Sequence, residues 1–116
     1  IWGDGSIVRD YIHVSDIVDA LVKASTYVQE VRVLNIGSGK GYDLNELVKL
    51  VMKVTQKPLS FSYVSGRKFD VPVNILDISL AEKYLGWTPV VNMSDGLECM
   101  YRWILDEQQT GKSVFY

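Results

Sequence analysis

Midway along the chain, Gly37-Ser38-Gly39-Lys40-Gly41 runs into Asp43, and Glu46 follows three residues later. Asp at a helix N-cap with Glu at the third helical position is a capping box, in which each side chain satisfies a backbone N–H at the other's position. The predicted helix buries Leu44, Leu47, Val48, Val51 and Val54, spaced at three and four residues, and Pro58 marks its limit. Upstream of the glycines, Val31 to Ile36 reads as a short buried strand. A strand, a glycine loop and a capped helix in succession predict an α/β arrangement of short strands alternating with helices.

The flanking segments repeat that alternation. Trp2-Gly3-Asp4-Gly5-Ser6 is a glycine-punctuated turn leading into a β segment over Ile7–Val14. Ser15 is the expected N-cap of a helix reaching Tyr27, with Ile17, Ala20, Leu21, Ala24 and Val28 on its buried face. Leu59 to Val64 alternates apolar and polar residues, as a half-exposed strand does, and leads into a loop over residues 65–72. Ser79 is placed to cap a short helix that stops at Gly86, and Trp87-Thr88-Pro89 forms a turn. Ser94 or Asp95 starts a last helix with Leu97, Met100, Tyr101 and Ile104 as its apolar stripe, and Gln108–Tyr116 is read as a frayed tail. The 116 residues are expected to form one domain, and strands so few and short would gain stability from a larger neighbour.

Composition narrows the functions. A net charge of −2 leaves no basic surplus to neutralise a phosphate backbone, so nucleic acid is a poor partner. Apolar runs are too short and too often broken for a membrane-spanning helix. One cysteine, Cys99, and one histidine, His13, cannot build an internal disulfide or a cysteine- or histidine-based metal site, and a reducing, cytoplasmic setting fits these counts. The opening Ile1-Trp2-Gly3, an apolar-to-turn transition without Met, is read as part of a longer polypeptide.

Several motifs resemble chemistry without meeting its spacing. A phosphate-binding P-loop needs Gly, four residues, then Gly-Lys-Ser/Thr; Leu34 stands where the first Gly belongs and Gly41 where the hydroxyl belongs. A dinucleotide fingerprint needs G-x-G-x-x-G, and here the third glycine comes one residue early. The loop is therefore read as a strand-to-helix turn. His13 is expected to be packed and hydrogen-bonded, Cys99 to be a buried inert thiol, and Trp87 and Trp103 to be packing residues.

Two arginines stand in settings that secondary structure does not explain. Arg9 lies within an apolar strand beside Asp10, and Arg67 lies in a loop three residues before Asp70. Guanidinium groups converging from separate segments can hold a diphosphate through paired charge-assisted hydrogen bonds, with a carboxylate nearby to accept from hydroxyls. The same spacing also allows plain ion pairs, Arg9 with Asp10 and Arg67 with Asp70. Trp2 has two readings as well, a ring offered to a nucleobase or an exposed packing residue.

Residues 1–16, IWGDGSIVRDYIHVSD, closely resemble a signature of the extended short-chain dehydrogenase/reductases, and more narrowly of the NAD-dependent epimerase/dehydratase family, which includes UDP-glucose 4-epimerases. Three further segments resemble it in order and spacing: Leu34-Asn35-Ile36-Gly37-Ser38-Gly39 with its capped helix, Arg67-x-x-Asp70-Val71-Pro72, and Asp77-Ile78-Ser79-x-Ala81 leading to Leu85-Gly86-Trp87-x-Pro89. The resemblance implies the C-terminal substrate-binding lobe of such an enzyme, with the Rossmann core absent. It implies that Arg9 and Arg67 contact the diphosphate of a nucleotide sugar, that Asp70 lies near the ribose, and that Trp2 lines the uracil pocket. Between Arg67 and Asp70 the family commonly has a glycine, where this chain has Lys68-Phe69.

The implied activity of the whole protein is NAD-dependent epimerisation of a UDP-sugar, UDP-glucose/UDP-galactose 4-epimerase-like. A 4,6-dehydratase, decarboxylase or reductase of the same family and a non-catalytic binding module are the alternatives. The family's catalytic Tyr-x-x-x-Lys is missing, since no Tyr stands four residues before a Lys. The fragment alone is therefore expected to hold neither catalytic nor NAD-binding residues, both of which the family carries in an N-terminal Rossmann domain. That domain is the expected partner of this one, and a homodimer of the full-length protein is implied through its helices.

Overall fold

The computed structural model describes residues 1–28, 30–67 and 69–110. At its centre a three-stranded sheet carries β1 (Val8–Asp10) between β2 (Gly41–Asp43), which runs antiparallel to it, and β3 (Val73–Asn74), which runs parallel. Both edges of β1 are thus occupied: Arg9 stands opposite Tyr42 on one side and Asn74 on the other. There are three α-helices among the described residues, α1 (Val14–Ala24), α2 (Leu44–Thr55) and α3 (Met93–Gln109), with α2 packed on β2 and α3 packed on α2. A single π-helical turn, Ala81–Leu85, packs beside α1.

Local chemistry explains most boundaries. Asp43 caps α2 by accepting from Glu46 N at 2.7 Å, and Glu46 accepts from Asp43 N at 3.1 Å, so the capping box is complete. This helix ends at Gln56, which takes the left-handed conformation usually left to glycine (φ 54°). The cap of α1 is His13, whose Nδ1 accepts from Ser15 N at 3.4 Å, and not Ser15 itself. Asn92 caps α3 by accepting from Asp95 N at 3.0 Å, so the helix begins at Met93, just before the expected Ser94. It remains helical through Gln109, which overlaps the start of the expected tail; residues 111–116 lie outside the described residues.

The core is small and centres on Trp87, with Ala20 and Ala81 beside it and Ile12, Leu34, Ile36 and Leu85 around them. Trp87 donates its indole N–H to the Asp16 carbonyl at 3.0 Å. The buried Asp16 carboxylate accepts from Val90 N and Val91 N at 3.3 and 3.1 Å, tying the start of α1 to the chain after Trp87. Trp103 and Cys99 are exposed, contrary to the expected packing, because they lie on the side of α3 that also carries Asp95, Glu98, Arg102 and Asp106.

Three further expectations change. Residues 31–36 join no ladder among the described residues, although Leu34 and Ile36 reach the core; the strand next to the glycines is β2, on their far side. Leu59–Val64 forms no strand either, beyond a parallel bridge between Val64 and Trp2. Lastly, α1 ends at Ala24, and of its expected apolar face only Ala20 is buried; Ile17, Leu21, Ala24 and Val28 are exposed.

Candidate functional site

The four residues singled out in the sequence gather along one edge of the molecule. The turn before β1 is fixed first. Gly3 and Gly5 adopt positive φ (71° and 80°), and Asp4 folds back to accept from Ser6 N at 3.0 Å and Ser6 Oγ at 2.6 Å. These bonds, the hydroxyl first, hold the Asp4 carboxyl below its usual range. The start of α2 braces the turn, because Asn45 donates to Asp4 O at 3.0 Å, Leu44 N donates to Gly5 O at 3.0 Å, and Tyr63 Oη holds Asn45 at 2.8 Å. Close approach is required here: a Cβ on Gly5 would lie 2.6 Å from Asn45 Oδ1.

Trp2 therefore projects from a fixed turn and is half exposed. The backbone of its turn joins the loop that follows residue 62, through Gly3 N to Val64 O and Val64 N to Ile1 O, both at 2.8 Å. On that loop Arg67 lies over the Trp2 ring, with its guanidinium carbon 4.3 Å from the ring centroid, a cation–π arrangement. Asp70 N donates to Arg67 O at 3.4 Å, closing the loop in a turn, and Asp70 itself is half-buried. Lys68 lies outside the described residues.

Arg9 reaches the same loop from the sheet. Its Nη1 donates to Val71 O at 2.7 Å and Val8 O at 2.8 Å, so the guanidinium is pinned beside the segment that carries Arg67 and Asp70. Neither alternative ion pair forms: among the described residues the salt bridge found is Arg102–Glu98 on the exposed face of α3. Asp10 is engaged on the opposite face of β1. Its carboxylate accepts from Ser38 N (2.7 Å), Ser38 Oγ (2.5 Å), Gly39 N (3.0 Å) and Leu76 N (3.2 Å).

Those bonds decide what the glycine loop does. Two backbone N–H groups that a dinucleotide phosphate would use are spent on Asp10, and the space at Gly37 is filled by Asp10 and Leu76. The loop is a structural clasp, and its residues do not fit a pyrophosphate cradle. His13 is likewise structural, with Nδ1 2.7 Å from Ser15 Oγ and its ring against Gly96.

Sequence reasoning missed two residues. Tyr42 and Asn74 flank Arg9 across the ladder, and directly opposed residues share a face of the sheet. Asn74 was hidden because a two-residue strand carries no periodicity. Tyr42 also lines a cavity of about 440 Å³ among β2, α2 and α3, whose wall includes Tyr11, Lys40, Leu47, Leu97 and Met100. That volume lies in the range of small-molecule sites. Among the described residues, no helix is long and apolar enough to cross a membrane.

Known proteins resemble this chain in sequence and in fold. A sequence model described as "NAD dependent epimerase/dehydratase family" matches residues 1–37, the stretch holding Trp2, Arg9 and the first glycine of the clasp. A UDP-glucose 4-epimerase of Rhizobium meliloti (strain 1021) is 34% identical over 111 residues, which is 93% of this chain and 34% of the relative. GDP-L-fucose synthase 1 of Arabidopsis thaliana is 34% identical over 105 residues, 90% of this chain and 32% of the relative. The crystal structure of a UDP-glucose 4-epimerase from Bifidobacterium longum, in complex with NAD+ and UDP, superimposes with a TM-score of 0.82 at 32% identity, over 90% of this chain and 32% of that one. The chain thus spans about a third of the length of the relatives it matches. The match in sequence extends through nearly all of the chain and the match in fold follows it, so both likenesses point to the NAD-dependent epimerase/dehydratase family.

Proposed function

We propose that this chain is the nucleotide-sugar-holding part of an NAD-dependent epimerase that acts on a UDP-hexose. The observation that carries this reading is the convergence of Trp2, Arg9, Arg67 and Asp70 on one loop and the central strand beside it, with the two guanidinium groups approaching from different elements. In this reading Arg9 and Arg67 hold the diphosphate, Trp2 stacks on the base, and Asp70 accepts from the ribose. Tyr42 and Asn74 flank the phosphate position. The hydride chemistry belongs to NAD, bound by a Rossmann portion of the whole protein with the family's Tyr-x-x-x-Lys. The clasped glycine loop supports that division, because its N–H groups are already used.

A second reading changes the base. The likeness to a GDP-L-fucose synthase supports a guanine nucleotide sugar with the same phosphate contacts, since arginine forks read the diphosphate and not the base. Dehydration, decarboxylation or reduction of the sugar would use the same grip.

Calorimetric titration with UDP, UDP-galactose, GDP and NAD tests both readings. UDP compounds should bind, and Arg9→Ala or Arg67→Ala should each weaken them ~10- to 100-fold, the loss of about one charge-assisted pair. GDP binding tighter than UDP would move the assignment to the second reading. NAD binding tighter than UDP, or UDP binding unchanged in both variants, would refute the assignment of roles.

A further inference from the structure

The cavity of about 440 Å³ among β2, α2 and α3 is walled by residues of this chain. Ile12, Leu47, Val91, Met93, Leu97 and Met100 make most of its surface apolar. Apolar surface left facing water favours a slim apolar body that covers it, and unbranched methionines adapt to the shape of what enters. The polar groups are few and of one kind. Lys40 lines the cavity and forms no salt bridge among the described residues. Tyr11 and Tyr42 bring hydroxyls without a protein partner among the described residues, where Tyr63 is the tyrosine so bonded. His13 also lines the cavity but is committed to Ser15. Among the described residues no Asp or Glu lines it, although acidic residues outnumber basic ones in the chain, 14 to 12. An apolar pocket with one unpaired cation and two O–H donors matches an anion carried on an apolar body.

We propose that this cavity is a second small-molecule site, which takes a carboxylate on a medium-chain acyl body. Lys40 meets the carboxylate, and Met93, Leu97 and Met100 lie along the chain. The site stands apart from the two arginines. In the strand order β2-β1-β3, Tyr42 flanks Arg9 from β2, whereas the Arg9 guanidinium turns to Val71 O, on the β3 side of β1. Occupancy of the cavity requires nothing at the arginines, so the nucleotide assigned above can fail without it.

Methyl NMR of protein labelled with ¹³C-methionine tests the proposal, on the polypeptide encoded by the whole reading frame and with octanoate as the probe. Met93 and Met100 should shift, while Met52, which does not line the cavity, should stay in place. Single Met→Leu variants assign the three signals. Octanoate should bind roughly 10-fold more tightly than hexanoate, the gain from burying two more methylenes. Replacing octanoate by 1-octanol, or Lys40 by Gln, removes one half of the ion pair, and each should weaken binding about 3- to 5-fold. Met100→Trp, which adds bulk from an exposed position on the wall, should abolish the Met93 shift. Shifts of Met93 and Met100 no larger than that of Met52 would overturn the proposal and leave the cavity to another part of the polypeptide. Equal binding of octanoate and 1-octanol, with Lys40→Gln unchanged, would overturn it as well. So would octanoate that is displaced by UDP and lost in Arg67→Ala, since the arginines would then be the anion site.

Discussion

Removing the Asp10 carboxylate should loosen the centre of the molecule by releasing the glycine loop and the stretch after β3 from β1. Asp10 accepts from three backbone N–H groups and one hydroxyl, and these donors come from the glycine loop and the stretch that follows β3. A hydrogen bond to a charged acceptor contributes roughly 1.5–3 kcal/mol when sheltered. Asp10 is only half-buried, so water can resolvate part of what is lost, and about 1 kcal/mol per donor is the appropriate scale. Asp10→Ala should therefore cost about 3–4 kcal/mol, which at this chain length lowers the Tm by roughly 10–20 °C. Asp10→Asn keeps one carbonyl oxygen but turns an amide N–H₂ toward other donors, so about half of that loss is expected. Urea unfolding followed by circular dichroism gives the stability, and amide exchange at Ser38 and Gly39 gives the local effect. An Asp10→Ala protein within about 1 kcal/mol of the parent, with those two amides unchanged, would refute the clasp.

Other outcomes follow from single contacts. Trp87→Ala should cost about 3–5 kcal/mol in urea unfolding, whereas Trp87→Phe should cost about 1–2, because the ring is retained and only bulk and the bond to Asp16 O are lost. Gly41→Ala should destabilise by about 1–3 kcal/mol in thermal melts, since the new Cβ would collide with Val8 and lie 2.6 Å from Ile75 Cδ1. The Asp77 carboxyl is held below 3.8, first by the Ser79 N–H and then by its hydroxyl. A depressed folded value means this turn contributes fully above 3.8 and is lost as pH falls through the lower folded value. Carboxyl-carbon NMR titration should place Asp77 below an Asp in an unfolded peptide, and Ser79→Ala should move it upward.

Much of this was legible in the sequence. The capping box at Asp43 and Glu46 needs only two residues at fixed spacing, and it forms as read. The apolar face of α2 was equally plain, with Leu44, Leu47, Val48, Val51 and Val54 all at least partly covered. What failed were inferences about where apolar residues are buried. The pattern on α1 is real, but periodicity reports that a face is apolar and not what lies against it, and most of that face is open. Val31–Ile36 has strand composition without strand pairing, because pairing needs a partner that composition cannot supply. Trp103 and Cys99 were assigned to packing by residue type, and the helix presents both outward. For the candidate site, residue types and order marked Trp2, Arg9, Arg67 and Asp70. Their meeting on one edge depends on a bridge between Trp2 and Val64 that no local pattern encodes.

The two arginines are mounted with unequal stiffness. Arg9 belongs to a strand hydrogen-bonded on both sides, so its backbone cannot shift without breaking two ladders at once. Arg67 belongs to a loop fastened by the Trp2–Val64 bridge and rests on an aromatic ring, a contact that slides at small cost. One is an anvil and the other a jaw. A ligand with two phosphates would meet the anvil first, at a position already set. It would then draw the jaw off the indole, uncovering the ring for whatever follows the phosphates. Selectivity among ligands would accordingly show in how long they stay, set by the jaw, more than in how fast they arrive.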